Sequence, residues 1–533
     1  MQSQLFEYVC LVLIILALVM LAGKLRVAYP IVLVLGGLGL SFTAWFADIV
    51  IKPEVVFFLF LPPLLYEAAW QTSWKEFWRW RRVITGFAFP IVILTSCVVA
   101  VVSHALIPGF TLALGFLLGG IISPPDAISA TTIMRQVQVP KPLVSIIEGE
   151  SLLNDASSLV VFRFALAAVL TGQFHLGEAT TSFVLVIVLG TLIGLLVGLV
   201  FYAIHRWLPT TPSIEVVLTL VTPYCMYYAA EHFHYSGVLA VVGGGLLLSS
   251  KRHVLLSFRS RLEGVNVWTV LSFVLNGLVF MLIGLQLPIT VRQLGSTSLG
   301  SAISYGLLIS LVLIVTRMLS AFGVAQFTRL ASRFITVAVA DPGWRGPVVI
   351  GWAGMRGVVS LAAALSVPLL TPAGQPFPYR NLILFVTFVA ILVTLVFQGL
   401  TLPWVIRQVQ PEEFDNTLSE TQQELLIRQT LARESLSFVQ AQPGANPYLH
   451  NLRARLQLEL GSSGEGLAER DAQPAGELLQ FHQLYADLLT RQRRVLHELN
   501  KRENLDEDRI RKHLTLLDLE ELKLREKQLP TTP

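Results

Sequence analysis

Runs of roughly twenty apolar residues, the length an α-helix needs to cross the hydrocarbon of a bilayer, recur from the N-terminus to about residue 406. No other feature of the chain leaves it so few choices. Lipid offers no partner to an unpaired backbone N–H or C=O, so a spanning segment must be a helix or part of a closed barrel. The alternating apolar and polar pattern of barrel strands is absent, which leaves helices. A chain that is 54% hydrophobic and 14% charged fits the same reading. The expected fold class is all-α: a polytopic membrane protein of about thirteen helices. Their expected positions are near 8–23, 28–42, 54–70, 83–106, 110–134, 143–170, 181–204, 214–230, 236–250, 264–287, 301–326, 347–370 and 381–406.

Charge divides the chain sharply. Residues 411–533 hold 16 Lys+Arg and 21 Asp+Glu, against 23 and 14 in the much longer stretch 1–410. This predicts a membrane domain over 1–410 and a water-exposed, largely helical, regulatory tail over 411–533, with helical patterns near 417–439, 446–460 and 475–527. Alternate loops of the membrane domain carry 17 basic residues against 3 in the opposite set. The positive-inside rule then puts the N-terminus outside and the tail in the cytoplasm. The stretch "WQTSWKEFWRWRR", 70–82, reads as an interfacial belt of tryptophans and cations. The net charge of +4 is a sum of unlike parts and gives no reason to expect nucleic acid. Cys10, Cys97 and Cys225 sit in separate apolar runs, so they form no disulfide framework.

Ionisable groups inside the spans need a partner, a wet cavity or a task. In the sixth span, "EGESLLNDASSLVVF" puts Glu148, Ser151 and Asp155 on one helix face with Asn154 beside it. Carboxylate, hydroxyl and amide oxygens are hard ligands for a small monovalent cation, and the carboxylate can take a proton instead. In the fifth span, "LLGGIISPPDAISA" places Pro124 and Pro125 mid-membrane. Two missing N–H donors should break the helix, so that Asp126 starts a second half-helix at its positive dipole end. The twelfth span, "VVIGWAGMRGVVSLAAAL", is glycine-rich around Arg356 and runs opposite to the fifth, as an inverted repeat with two crossing, discontinuous helices requires. Arg356 can neutralise exposed carbonyl ends. Arg317 in the eleventh span needs an anion, and Glu150, facing away from Asp155, is the candidate. In the third span Glu67 follows a further Pro-Pro pair. His232 and His234 have metal-like spacing without further ligands nearby.

Together these elements resemble a known family. "LPPLLYEAA", "SPPD", "GESLLNDASSLV", "NGLVFMLIGLQLP" at 276–288, "GMRGVVSLAAAL" and "FQGLTLPWVI" cover nearly all of residues 5–410. They are similar to the bacterial monovalent cation:proton antiporters of the NhaP and sodium/proton exchanger type. The resemblance implies a homodimer of thirteen-helix subunits in the bacterial inner membrane, each with a dimerisation part and a mobile six-helix core. It also implies Asp155 as the cation and proton site, with Asn154 marking the electroneutral branch. Ser151 and Asp126 become neighbours in a Na+ site with Asp155, and Glu67 a further ligand or gate. Glu150 and Arg317 become a structural ion pair, with Arg356, Pro124 and Pro125 stabilising the core. The family commonly has Thr-Asp-Pro at the break, whereas this chain has Ser123-Pro124-Pro125-Asp126, with a proline in place of the threonine.

The function expected is antiport of Na+ or Li+ for H+, one for one, with both ions competing for Asp155. A K+/H+ antiporter is the alternative within transport, and a cation channel or sensor the alternative from another class. No enzyme is expected, since the chain shows no nucleophile–base arrangement, P-loop or zinc spacing. No cofactor is expected beyond the transported ions. Partners are membrane lipids, a second copy of the chain and a regulator of the tail whose identity the sequence does not give.

Overall fold

The computed structural model describes residues 2–43, 56–137, 139–172, 176–292, 294, 298–334, 337, 339 and 342–411, together with 430–431, 433–440, 453–454, 457, 485, 487–496 and 516–521 of the C-terminal part. The chain divides into two compact units, Met1–Phe414 and Asp415–Pro533. Among the described residues the first unit is helical, apart from one isolated bridge between Leu370 and Pro376. Among the described residues, its longer helices group into thirteen spans in chain order, with a short helix Arg252–Leu255 between the ninth and tenth. They are Gln2–Leu25, Tyr29–Leu40, 56–71, Trp74–Leu106, Leu112–Met134, Lys141–Thr171, Leu176–Trp207, Pro212–His232, Gly237–Ser250, Arg259–Arg292, Leu299–Ala331, 345–365 and Arg380–Val409. Among the described residues, seven helices are long and apolar enough to cross a membrane by themselves. The short ninth is apolar all round, with Val238, Leu239, Ala240, Val241 and Val242 buried, and it packs among the third, seventh and eighth.

The fourth span differs from its sequence expectation. The tryptophan-rich belt does not precede the helix; Ser73 caps a helix that starts at Trp74, with Glu76 in its first turn. Ser-Trp-Lys-Glu is a capping box, and that local signal carries the helix out through the interface. The helix passes Pro90 in a wide π-type turn over Phe87–Ile91 and continues to Leu106. A π-type turn is one of the few ways a helix accommodates an internal proline.

The fifth and twelfth spans are both broken. The fifth stops at Ile122 and resumes at Ala127; the twelfth stops at Trp352 and resumes at Val358. In the gap the extended segments meet, and the Asp126 backbone N–H donates to the Met355 carbonyl at 2.6 Å. Only glycine fits the twelfth at this point, because a Cβ on Gly357 would lie 2.7 Å from Cγ of Asp126. Gly119 brings the first half of the fifth span against the fourth, where a Cβ would lie 2.7 Å from the Ser96 carbonyl oxygen. Close approach of this kind is how small residues lock membrane helices together.

In the second unit the described residues include helical stretches at 433–440, 487–496 and 516–521. Arg493 binds both Asp518, at 2.6 Å, and Glu521, at 2.8 Å, and so ties two of these stretches together. Most of the helical patterns expected over 417–439, 446–460 and 475–527 lie outside the described residues.

Candidate functional site

The sixth span, Lys141–Thr171, runs unbroken past the crossing and braces it. Asn154, fully buried, donates from Nδ2 to the Pro125 carbonyl at 3.2 Å. Ser151 Oγ accepts from the Ala127 N–H, the first amide of the second half-helix, at 3.3 Å. Asp126 caps the same half-helix, accepting from the N–H groups of Ile128 and Ser129, each at 3.2 Å, and from the Ser129 hydroxyl at 2.6 Å. Helix caps of this type satisfy donors that would otherwise be orphaned in a medium without water. Two residues of the sixth helix and one of the fifth therefore hold the break open. On the other side of the crossing Arg356, only 1% exposed, donates from Nε to the Ile122 carbonyl at 2.8 Å and from Nη1 to the Gly354 carbonyl. Its guanidinium thus meets the last carbonyl of the fifth span's first half-helix and a carbonyl within the break of the twelfth.

A cavity of about 570 Å3 reaches this crossing. Asp155, Ser151, Asp126 and Glu67 line it, as do Pro124, Pro125 and Ser360. Its other lining residues include Thr72, Arg135 and Glu148, which lie towards the helix ends that carry the basic loops. Asp155, 8% exposed, lines it together with Asp126. Glu67 is held by Gln71 one turn along its own helix. Glu148 lies 3.5 Å from Arg135. The cavity therefore presents two carboxylates and a hydroxyl around one break in the backbone, with two further carboxylates on its walls. An oxygen-rich, water-accessible pocket of this kind suits a hard monovalent cation or a proton.

Behind the cavity, Glu150 and Arg317 form a bidentate pair in which both groups are almost wholly buried, at 1% and 3% exposure. The Arg317 guanidinium also lies over the Phe87 ring at 4.8 Å. Gly354 leaves room for both arginines, since a Cβ there would stand 3.0 Å from Cγ of Arg317 and 3.1 Å from Nη1 of Arg356.

Asp155, Ser151, Asp126, Glu67, Pro124 and Pro125 thus come together at the cavity. Asn154 sits behind it as a brace, and Glu150, Arg317 and Arg356 form a layer that does not line it. Sequence reasoning missed one part of the cavity lining. Tyr29, Ser272 and Asn276 line the same cavity from the second and tenth spans, and Asn276, 6% exposed, keeps an unpartnered amide oxygen. The signal was present as two polar residues one turn apart in an apolar helix, but one helix alone does not say what its polar stripe faces. His232 stacks on Tyr228 instead of pointing to any cluster, and among the described residues no group of three His, Cys, Asp or Glu could hold a metal ion.

Residues 11–408 match the family described as sodium/hydrogen exchanger, transmembrane. A "sodium, potassium, lithium and rubidium/H(+) antiporter" of Bacillus pumilus is 34% identical over 387 residues, covering 70% of this chain and 57% of that protein's length. An uncharacterized Na(+)/H(+) exchanger of Mycobacterium tuberculosis is 32% identical and covers 97% of this chain and 96% of its own. The solved sodium proton antiporter MjNhaP1 of Methanocaldococcus jannaschii shares the fold with a TM-score of 0.59 at 17% identity, covering 77% of this chain and 99% of that one. With its helices, its broken crossing and its oxygen-lined cavity, the chain belongs to the sodium/hydrogen exchanger family of transmembrane cation/proton antiporters.

Proposed function

We propose that this protein exchanges Na+ or Li+ for H+, one for one, by alternating access, with both ions competing for the Asp155 carboxylate. The observation that carries the reading is that Asp155, Ser151 and Asp126 line one cavity at the broken fifth span. In this reading Na+ is held by those three residues, with Glu67 as a further ligand or gate. An ionised, empty Asp155 is too costly to move past an apolar barrier, whereas the proton-loaded or cation-loaded site can move. With neutral Asn154 beside it, one carboxylate gives one charge in each direction. Glu150 with Arg317, and Arg356 with the two prolines, act by holding the crossing in shape.

The subunit works as a homodimer in the bacterial inner membrane, with residues 411–533 as a cytoplasmic regulatory tail. K+ is kept as a second candidate ion because the Bacillus pumilus relative carries potassium in its name. The test is proton flux in proteoliposomes at zero membrane potential, with Na+, Li+ and K+ added in turn. Flux driven by Na+ or Li+ and lost in Asp155→Asn supports the reading. Flux with K+ alone moves the protein to K+/H+ antiport, and full flux in the variant places the site elsewhere.

A further inference from the structure

The cavity that holds Asp155 carries four carboxylates, on Glu67, Asp126, Glu148 and Asp155, and among the described residues that line it one basic group, Arg135. A fixed positive charge in the path of a cation raises the barrier to entry, so its position needs a reason. Arg135 stands at the C-terminal end of the second half of the fifth span, the half-helix that Asp126 starts. Its side chain is 68% exposed, and Nη2 lies 3.5 Å from Oε1 of Glu148, whose side chain is 33% exposed. Glu67, by contrast, accepts from the neutral amide of Gln71.

Bracing does not account for the pair. An ion pair this exposed adds little to stability. The half-helix is already fixed to the sixth span by Ser151 on the Ala127 N–H and by Asn154 on the Pro125 carbonyl. The position of Glu148 says more. Glu148, Ser151 and Asp155 follow at intervals of three and four on one face of Lys141–Thr171, and all three line the cavity. Glu148 lies two turns, about 10 Å along the axis, nearer the basic loops than Asp155. A cation entering from that end meets Glu148 first.

We propose that Arg135 is a tethered cation resting on Glu148, and that the entering ion replaces it there before moving on to Ser151 and Asp155. Glu148 is the entry station of the ion path, and Arg135 is its gate. One positive charge takes the place of another, so the carboxylate is never left bare in a mouth that Leu61, Leu64 and Leu65 also line. The displaced guanidinium has a second resting place, because it stands at the negative dipole end of its own half-helix. Displacing a guanidinium selects for charge and not for ion identity, so discrimination among monovalent cations is left to the deeper residues. The assignment rests on the antiport reading for which ions pass, and its first test needs no transport.

The full-length chain with Arg135→Lys is purified in detergent and treated with an amine-acylating reagent, and labelling at position 135 is followed by peptide mass spectrometry. An amine resting on a carboxylate is acylated more slowly than a free one. NaCl should therefore speed the reaction by up to about fivefold, the limit for an exposed pair, relative to choline chloride at equal ionic strength. Adding Glu148→Gln should make labelling fast in both salts, whereas adding Asp155→Asn should leave the Na+ effect in place. Equal rates in the two salts, a Na+ effect that survives Glu148→Gln, or one that vanishes with Asp155→Asn overturns the proposal. In proteoliposomes the two members of the pair should act in opposite directions. Arg135→Gln should lower the apparent KM for Na+ by up to about fivefold, and Glu148→Gln should raise it by a similar factor, with the same factors for every other cation carried. Shifts of KM in the same direction would mean a purely structural pair, and would also overturn it. A wild type without cation-driven proton flux, but with the labelling pattern intact, would remove the antiport reading and leave the entry station standing.

Discussion

Glu150 and Arg317 allow a quantitative test of what the buried layer behind the ion site is for. Glu150→Gln removes one charge and leaves the Arg317 guanidinium buried and unpaired, which costs about 3–5 kcal/mol in comparable pairs. Arg317→Met leaves the carboxylate unpaired instead and also removes the contact over Phe87, worth about 2 kcal/mol when desolvated. The second change should therefore be the more damaging of the two. In the double variant Glu150→Gln with Arg317→Met both charges of the pair are gone. It should recover most of the loss, because desolvating two ions offsets much of their attraction, and Arg317 Nε has no partner even in the native pair. The expected coupling between the two sites is at least about 3 kcal/mol. The assay is reversible denaturant unfolding of the purified protein in micelles, with transport measured on the fraction that remains folded. If the two losses simply add in the double variant, the pair is not what holds this layer. If Arg317→Met is as stable as the wild type but inactive, Arg317 acts on the ion directly and the structural role is wrong.

Competition at one carboxylate fixes a sign. Lowering the pH by one unit should raise the apparent KM for Na+ by up to about tenfold while leaving the maximal rate at saturating Na+ unchanged, and a fall in maximal rate alone would argue for separate sites. Asn276→Ala should raise the KM for the cation from the cavity side with little change in maximal rate, with Asn276→Ser partly restoring it; equal loss in both would indicate packing instead. Arg163 binds both oxygens of Glu231 at 2.7 Å, joining the sixth span to the eighth beyond Asp155, at the end remote from the basic loops. The pair is partly exposed, so breaking it with Arg163→Gln should cost about 1 kcal/mol and shift the balance roughly fivefold towards the state open at that end. Cysteine accessibility at neighbouring positions would report that shift, and unchanged labelling would remove the pair from any gating role.

Much of this molecule was legible one helix at a time. Apolar runs of bilayer length admit only helices, and the thirteen spans follow from where those runs end. The break in the fifth span was expected from Pro124 and Pro125, which remove two consecutive N–H donors, whereas the single Pro90 of the fourth span is carried in a π-type turn. The candidate ion-site residues Asp155, Ser151 and Asn154 could be singled out because polar atoms in a membrane helix need a reason to be there. Where local signals overlapped, the boundary shifted: the fourth span was expected to begin near residue 83, but the capping box at Ser73 starts its helix at Trp74, within the tryptophan belt.

Contacts between spans belonged to the tertiary structure. Sequence spacing could nominate Glu150 for Arg317, but only packing brings residues 167 positions apart into a bidentate pair. Nor could periodicity show that Asn154 reaches the Pro125 carbonyl, or that the stripe of Ser272 and Asn276 lines the same cavity as Asp155. A helix pattern reports which face is polar, while the partner of that face depends on rotation and crossing, which are set by close contacts such as Gly119 on Ser96 and Gly357 on Asp126.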